Sequence, residues 1–318
     1  MVETMNPVRF LTRSALASIA LFPREAPAQD TAASARAKQD VLWARMADSI
    51  GKIISETDAV VGVAILDLTE ERWYLHQADV VYPTASTIKI AVLAELYRQN
   101  ERAAGGGTGA RLGDLYTADA KDVVGGSDIM GGLTPGITKV TNRDLATMMI
   151  AVSDNSATNV LINRVGMENV NSWLAQLGLR ATRLRRQMMD VKAALEGREN
   201  TASPRELVTL LDALYRSKVL NRANTDDFLK MLGTHKDSFI PRLLPADLTI
   251  ADKPGELDAV RNDAGIVFVP GRPFAIAVMT TFGRDERASE LAIARIARAA
   301  YGYFALIGKS SPLGRVVR

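Results

Sequence analysis

Ser86 and Lys89 stand three positions apart in PTASTIKIAV (83–92), where an apolar run with helical spacing begins. On a helix that spacing places both side chains on one face, within reach of each other. A serine hydroxyl attacks a carbonyl only when a base takes its proton. An amine set among Ile88, Ile90 and further apolar neighbours has its pKa lowered towards that task. A helix start also presents free backbone N–H groups to a developing negative charge. Taken alone, the pair reads as an N-cap serine followed by a snorkelling lysine.

Two further clusters bear on the choice. Ser153-Asp154-Asn155 interrupts an otherwise apolar helical pattern. Small polar residues are unfavourable inside a helix, so the triplet either caps a short helix or turns a hydroxyl and a carboxamide into a cleft. The third cluster is DKPGEL (252–257), where Lys253 brings a cation beside Gly255, a residue that admits close backbone approach. Its plain alternative is a Lys-Pro-Gly turn.

The elements that must bring these clusters together follow from hydrophobic period. Residues 33–56 have helical spacing, and AVVGVAILDL (59–68) is a β-rich run turned by TEER into RWYLH. The middle of the chain is nearly all helical, punctuated by Asn, Ser-Pro and Gly signals. Strands return from about residue 249 with AGIVFVPG and FAIAVMTTF, and DERASELAIARIARAAYGYFALIG closes as a helix. The expected fold is α+β: an antiparallel sheet formed from both chain ends and flanked by helices, an all-α lobe, and the active site in the cleft between them. In residue terms this is one domain over 30–307, with an α/β lobe at about 33–84 and 248–307, an all-α lobe at about 85–247, and a disordered tail at 308–318.

Composition removes several function classes. The chain has 318 residues, a net charge of +3 and no cysteine, so disulfides, thiolate catalysis and thiolate metal ligands are excluded. Two isolated histidines, His76 and His235, leave no metal site and no Ser-His-Asp triad, and no Gly-x-Ser-x-Gly is present. No cofactor is expected. The cluster Arg180, Arg183, Arg185 and Arg186 lacks interleaved aromatics and does not support nucleic-acid binding. AGGGTGARLG (104–113) fits no phosphate-loop spacing and reads as a flexible loop. Arg9, the run SALASIALF and Ala26-Pro27-Ala28 read as a signal peptide over 1–29, hence an exported, periplasmic or secreted protein; a cytoplasmic leader is the alternative. No later stretch reaches the length of about 20 apolar residues that a membrane span requires.

Ser-x-x-Lys, then Ser-Asp-Asn, then Lys-x-Gly beside a strand is an ordered set, and with it the sequence resembles the class A β-lactamase-like serine hydrolases. The resemblance runs from about residue 36 to 307 and includes VGVAILDL, TNRDLATMMIAVSDNSATNVLI and RNDAGIVF. It implies that Ser86 is acylated, Lys89 deprotonates it, Ser153 relays a proton to the leaving group, and Lys253 supplies positive potential. It further implies that Asn155 holds the substrate's amide, that the N–H groups of Ser86 and Glu256 form the oxyanion hole beside Gly255, and that the substrate is a small molecule met by a monomer.

Two departures alter the expectation. The family commonly carries Glu-x-x-Leu-Asn on the loop after the second motif; counting from Arg186 places Met188 where that glutamate stands. A thioether takes no proton from water, and Asp190, Glu196 and Glu199 are the nearby carboxylates. Pro254 replaces the usual Thr or Ser and removes a hydroxyl and a backbone donor. Arg261 is the candidate substitute as carboxylate clamp. The expected activity is β-lactam opening with slow turnover; the alternatives are an esterase or peptidase on the same site, or a penicillin-binding sensor that stays acylated.

Overall fold

The computed structural model describes Met1 and residues 28–316, so the expected signal segment falls almost wholly outside the described residues. Helix α1 (Ala28–Ser55) leads to strand β1 (Val60–Asp67), which is buried along nearly its whole length. Such continuous burial marks a strand covered on both faces. The period of two sends Val61, Val63 and Ile65 into one core and Ala64 and Leu66 into another. Strand β2 (Trp73–His76) pairs back on β1, as the TEER turn predicts.

After β3 (Tyr82–Pro83) comes a 3₁₀ turn, Ala85–Ile88, that runs into α2 (Lys89–Ala104). The middle of the chain holds β4 (Leu115–Thr117), β5 (Lys139–Thr141), α3 (Asn142–Ala151), α4 (Asn155–Val165) and α5 (Met167–Gln176). Then follow α6 (Val191–Leu195), β6 (Thr201–Ala202), α7 (Pro204–Tyr215) and α8 (Arg222–Leu232). The short pairs β3–β6 and β4–β5 were not foreseen from sequence, being too brief to show a period. The chain ends with β7 (Ile250–Leu257), β8 (Val260–Val267), β9 (Phe274–Thr281) and α9 (Glu286–Gly308).

The main sheet has the order β2-β1-β9-β8-β7 and is antiparallel throughout, built from both chain ends. On the side of α1 and α9 its core residues are large: Phe274, Ile276, Val278 and Val267. On the opposite side they include small ones, Ala64, Ala264, Ala275 and Ala277. Small side chains let a helix approach closely, and α7 lies there against β1, β8 and β9. One core therefore runs from the sheet through α7 into α2 and α4, which fixes the sheet edge against the helices that carry the polar clusters.

One expectation needs correction. Helix α9 is long and apolar enough by length and composition to cross a bilayer, where no such stretch was expected. Its apolar stripe, Ile293, Ile296, Ala297, Ala300 and Phe304, is however buried against the sheet and α1. Within the C-terminal segment Ser310 bridges Val316, the Ser311 N–H donates to the Arg315 carbonyl at 2.8 Å, and Lys38 Nζ donates to the Leu313 carbonyl at 3.2 Å.

Candidate active site

Ser86 is the second residue of the 3₁₀ turn, not its N-cap; Thr84 occupies the cap and its side chain makes no capping bond. Ala85, immediately before Ser86, has a φ of +49°. A left-handed non-glycine residue costs about 1–3 kcal/mol and persists only where its surroundings fix it. Here the Thr84 N–H donates to the Asn200 carbonyl at 2.9 Å, and Thr87 donates back to the Thr84 carbonyl through its N–H at 3.1 Å and its hydroxyl at 2.7 Å. The turn thus presents Ser86, half-buried, at the meeting point of two cavities.

Lys89 begins α2 and is fully buried. Its Nζ donates to the Ser153 carbonyl at 2.6 Å, to Ser153 Oγ at 2.9 Å and to Asn155 Oδ1 at 3.0 Å. Ser153 Oγ in turn donates to Ser86 Oγ at 2.9 Å. The Lys89 ammonium therefore reaches Ser86 Oγ through Ser153, where direct contact between Lys89 and Ser86 was expected. Ser153 lies in the break between α3 and α4 with a φ of +57°, and Asp154 caps α4 by accepting the Ala157 N–H at 2.9 Å. Both readings of the polar triplet hold at once: it caps a helix and it turns a hydroxyl and a carboxamide into the cleft. Asp154 also accepts the Met130 N–H at 2.9 Å and the Ile129 N–H at 3.2 Å, which ties the far wall to this break.

The electrostatics suit a proton acceptor. Burial pushes the Lys89 ammonium well below the usual lysine range, the charge of Lys253 adds to this, and Asp154 opposes it. Lys253 is pushed down to about 8 by its own burial and by Lys236, against the pull of Asp263, Asp252 and Glu256. Behind it, burial and the neighbouring Asp252 drive the Asp263 carboxyl well above the carboxylate range.

One cavity, of about 600 Å³, is lined by Ser86, Ser153, Asn155, Lys236, Lys253 and Gly255, among others. The other, of about 460 Å³, joins Ser86 and Asn155 to Met188, Met189, Val191 and Glu256. Gly255 lies flush against the nucleophile turn: a Cβ there would stand 2.7 Å from the Thr84 carbonyl oxygen and 2.9 Å from the Ser86 nitrogen. Only glycine allows that approach, which brings β7 alongside the Ser86 N–H. DKPGEL is accordingly strand, not a turn, and Glu256 follows Gly255 on the same edge.

Arg261 is not brought into the cleft. It pairs with Glu256 across β7 and β8, but its Nε donates to Glu290 at 3.0 Å, its Nη2 to Glu286, and its Nη1 to the Leu257 and Val260 carbonyls, both at 2.9 Å. Four of its five N–H donors are taken by α9 and the hairpin, and it lines neither cavity at Ser86, so the carboxylate-clamp expectation is withdrawn. Three residues that sequence reasoning missed matter instead. Asn159, one helical turn beyond Asn155, binds Met188 through both main-chain groups. Asn200 Oδ1 receives the N–H groups of Arg185 and Arg186, at 2.7 and 3.0 Å, and shapes the loop that carries Met188. Lys236, in THKDS, joins Lys253 in the first cavity; nothing in its local sequence marks it.

Three carboxylates of this segment, Asp190, Glu196 and Glu199, already have partners. Asp190 caps α6, Glu199 pairs with Arg186 at 2.8 Å, and Glu196 pairs with Arg198. Met188 itself is buried at 7% exposure.

The chain is similar to known proteins over most of its length. A sequence profile described as the beta-lactamase enzyme family matches residues 45–304. A beta-lactamase from Streptomyces fradiae is 31% identical over 248 residues, which is 76% of this chain and 80% of that protein. The crystal structure of a beta-lactamase from Sphaerobacter thermophilus DSM 20745 matches with a TM-score of 0.74 at 31% identity, over 83% of this chain and 98% of that one. A mutant form of PBP-A, an acyl-enzyme complex with penicillin G, matches with a TM-score of 0.73 at 27% identity, over 82% of this chain and 96% of that one.

Proposed function

The chain belongs to the beta-lactamase enzyme family, and from that premise we propose a serine hydrolase of class A type that opens β-lactams through an ester on Ser86. The observation that carries the reading is the chain Lys89 Nζ, Ser153 Oγ, Ser86 Oγ, with both links at 2.9 Å and the lysine buried. In its neutral form Lys89 draws the Ser86 proton through Ser153. Ser86 Oγ bonds to the lactam carbonyl carbon, the C–N bond breaks, and the proton returns through Ser153 to the departing nitrogen. Positioned proton transfer of this kind contributes about 10²–10⁴-fold. The N–H groups of Ser86 and Glu256 take the oxyanion, and each such donor is worth about 2.7–4 kcal/mol. Lys253, with Lys236 beside it, meets the substrate carboxylate that Pro254 cannot bind through a hydroxyl. Asn155, whose Nδ2 is oriented by a 3.0 Å bond to the Gly125 carbonyl, holds the acyl amide.

Clearing the ester needs an activated water, and the position beside it holds Met188. Turnover is therefore slow, and the acylated state is long-lived. A second reading draws on the same residue: the protein acts as a penicillin-binding sensor or as an esterase on small acyl groups. PBP-A, captured in mutant form as an acyl-enzyme complex with penicillin G, supports the idea that this fold holds such an ester. We also read residues 1–29 as an export leader and the enzyme as periplasmic or secreted.

Nitrocefin turnover and intact-mass analysis after penicillin G separate the readings. Slow hydrolysis with a persistent penicilloyl mass is expected, both lost in Ser86→Ala. Labelling that survives Ser86→Ala defeats the assignment, and fast hydrolysis shows that a base other than residue 188 serves the water.

A further inference from the structure

Both cavities that meet at Ser86 carry charge, but only the first holds ammonium groups, those of Lys253 and of Lys236, the latter paired with the buried Asp252 at 3.4 Å. Lys253 is 1% exposed and hydrogen-bonds to the Pro254 carbonyl at 3.1 Å, which leaves donor capacity for an anion. Of the three acids lining that cavity, Asp237 is paired with Arg242, Asp128 joins no ion pair among the described residues, and Glu256 stands where the two cavities meet. The second cavity has an apolar floor of Met188, Met189, Val191 and Ala194. Its charges are Arg186 with Glu199, which cancel as a pair, and Glu256 with Asp258, which join no ion pair among the described residues. Both of these acids are exposed, and they lie two residues apart at the end of the β7–β8 hairpin. The cavity thus offers an apolar surface ending in two carboxylates outside any ion pair among the described residues: Glu256, shared with the first cavity and acting on Lys253, and Asp258, which lines the second alone.

We propose that the second cavity selects acyl groups with an apolar body and a positively charged amine, so that the preferred substrates are zwitterions. The substrate carboxylate lies towards Lys253 and Lys236, and the acyl ammonium towards Glu256 and Asp258. This rests on the reading of Ser86 as the acylated residue, and it adds the substrate class to that reading. Side chains at the mouth of a cavity remain in contact with water, so the discrimination is a matter of several-fold, not of orders of magnitude.

Three penicillins differ only at the α-carbon of the phenylacetyl group and make the test direct. Benzylpenicillin carries hydrogen there, ampicillin an amine, and carbenicillin a carboxylate. The second-order rate of Ser86 acylation is measured by quenched intact mass at about pH 6, below the ~7.7 of an α-amine. The expected order is ampicillin faster than benzylpenicillin, and carbenicillin slower, each step about fivefold. In Asp258→Asn the ratios shrink, and in Glu256→Gln/Asp258→Asn the three rates fall within about twofold of one another. Because each variant is read as a ratio among substrates, a general loss of activity does not affect the outcome. Equal rates in the wild-type protein, or an unchanged order in the double variant, overturn the inference and leave the Ser86 assignment standing. If none of the three penicillins adds its mass to the protein, the assignment itself fails and the inference falls with it.

Discussion

Asn159 grips Met188 by both main-chain groups: its Nδ2 donates to the Met188 carbonyl at 3.1 Å, and its Oδ1 accepts the Met188 N–H at 2.8 Å. The position of residue 188 is therefore set by main-chain bonds and not by the thioether, and a different side chain starts from the same place. Met188→Glu puts a carboxylate at the wall of the cavity that contains Ser86. Decay of the penicilloyl mass should accelerate by about 10²–10⁴-fold, the range of a positioned general base. Thermal stability should fall, because a carboxylate replaces a side chain that is 7% exposed.

Acylation should follow a bell-shaped pH profile. Lys89 accepts a proton only when neutral, and burial lowers its pKa well below the usual lysine value, so the rate rises with pH in a range where ordinary lysines stay charged. Lys253 attracts the substrate carboxylate only when charged, so the rate falls as pH passes about 8. The profile of acylation rate against penicillin G checks both limbs. A rate that keeps climbing well beyond Lys253's value of about 8 removes that residue from substrate binding.

What the sequence made legible is what depends on local spacing and order. Ser86 and Lys89 were visible because a separation of three on an apolar helix is itself a geometric statement, and Ser153 because a polar triplet in a helical pattern demands a reason. The sheet built from both chain ends followed from where the β-rich runs fall. Arg261 was misread because a strand's register and the helix packed behind it decide which partners a side chain meets, and Glu286 and Glu290 lie on α9, far along the chain. The contact of Lys89 with Ser153, in place of Ser86, was hidden for a similar reason: which hydroxyl Lys89 touches depends on a break in a distant helix pair, with a backbone angle no propensity reports. Lys236 and Asn159 act through tertiary contacts alone.

Gly255→Ala should damage the nucleophile and the fold together. The added methyl meets backbone, 2.7 Å from the Thr84 carbonyl and 2.9 Å from the Ser86 nitrogen, and backbone cannot rotate away. Overpacking of this kind costs about 1–3 kcal/mol. The same displacement separates β7 from the Ser86 N–H, so acylation should slow by about tenfold or more, the scale of a partly lost oxyanion donor. Denaturant unfolding and penicilloylation kinetics on the same preparation measure the two effects. Wild-type acylation in this variant would remove β7 from the oxyanion site.

Asp154 links stability to the base, and its removal separates the two roles by sign. Its carboxylate accepts three N–H groups, from Ala157, Met130 and Ile129. It is fully buried, and its negative charge favours the protonated form of Lys89. Asp154→Asn keeps an acceptor oxygen but loses the charge, so it should cost about 1–3 kcal/mol through weaker and unmade hydrogen bonds. With that charge gone, burial and Lys253 act on Lys89 unopposed and its pKa falls further. The rising limb of the acylation profile should therefore move to lower pH, while the falling limb near 8, which belongs to Lys253, stays in place. A purely structural role for Asp154 lowers the unfolding midpoint and the rate at every pH but moves neither limb. A rising limb that shifts upward while the protein remains folded means that Lys89 is not the group whose deprotonation starts the reaction.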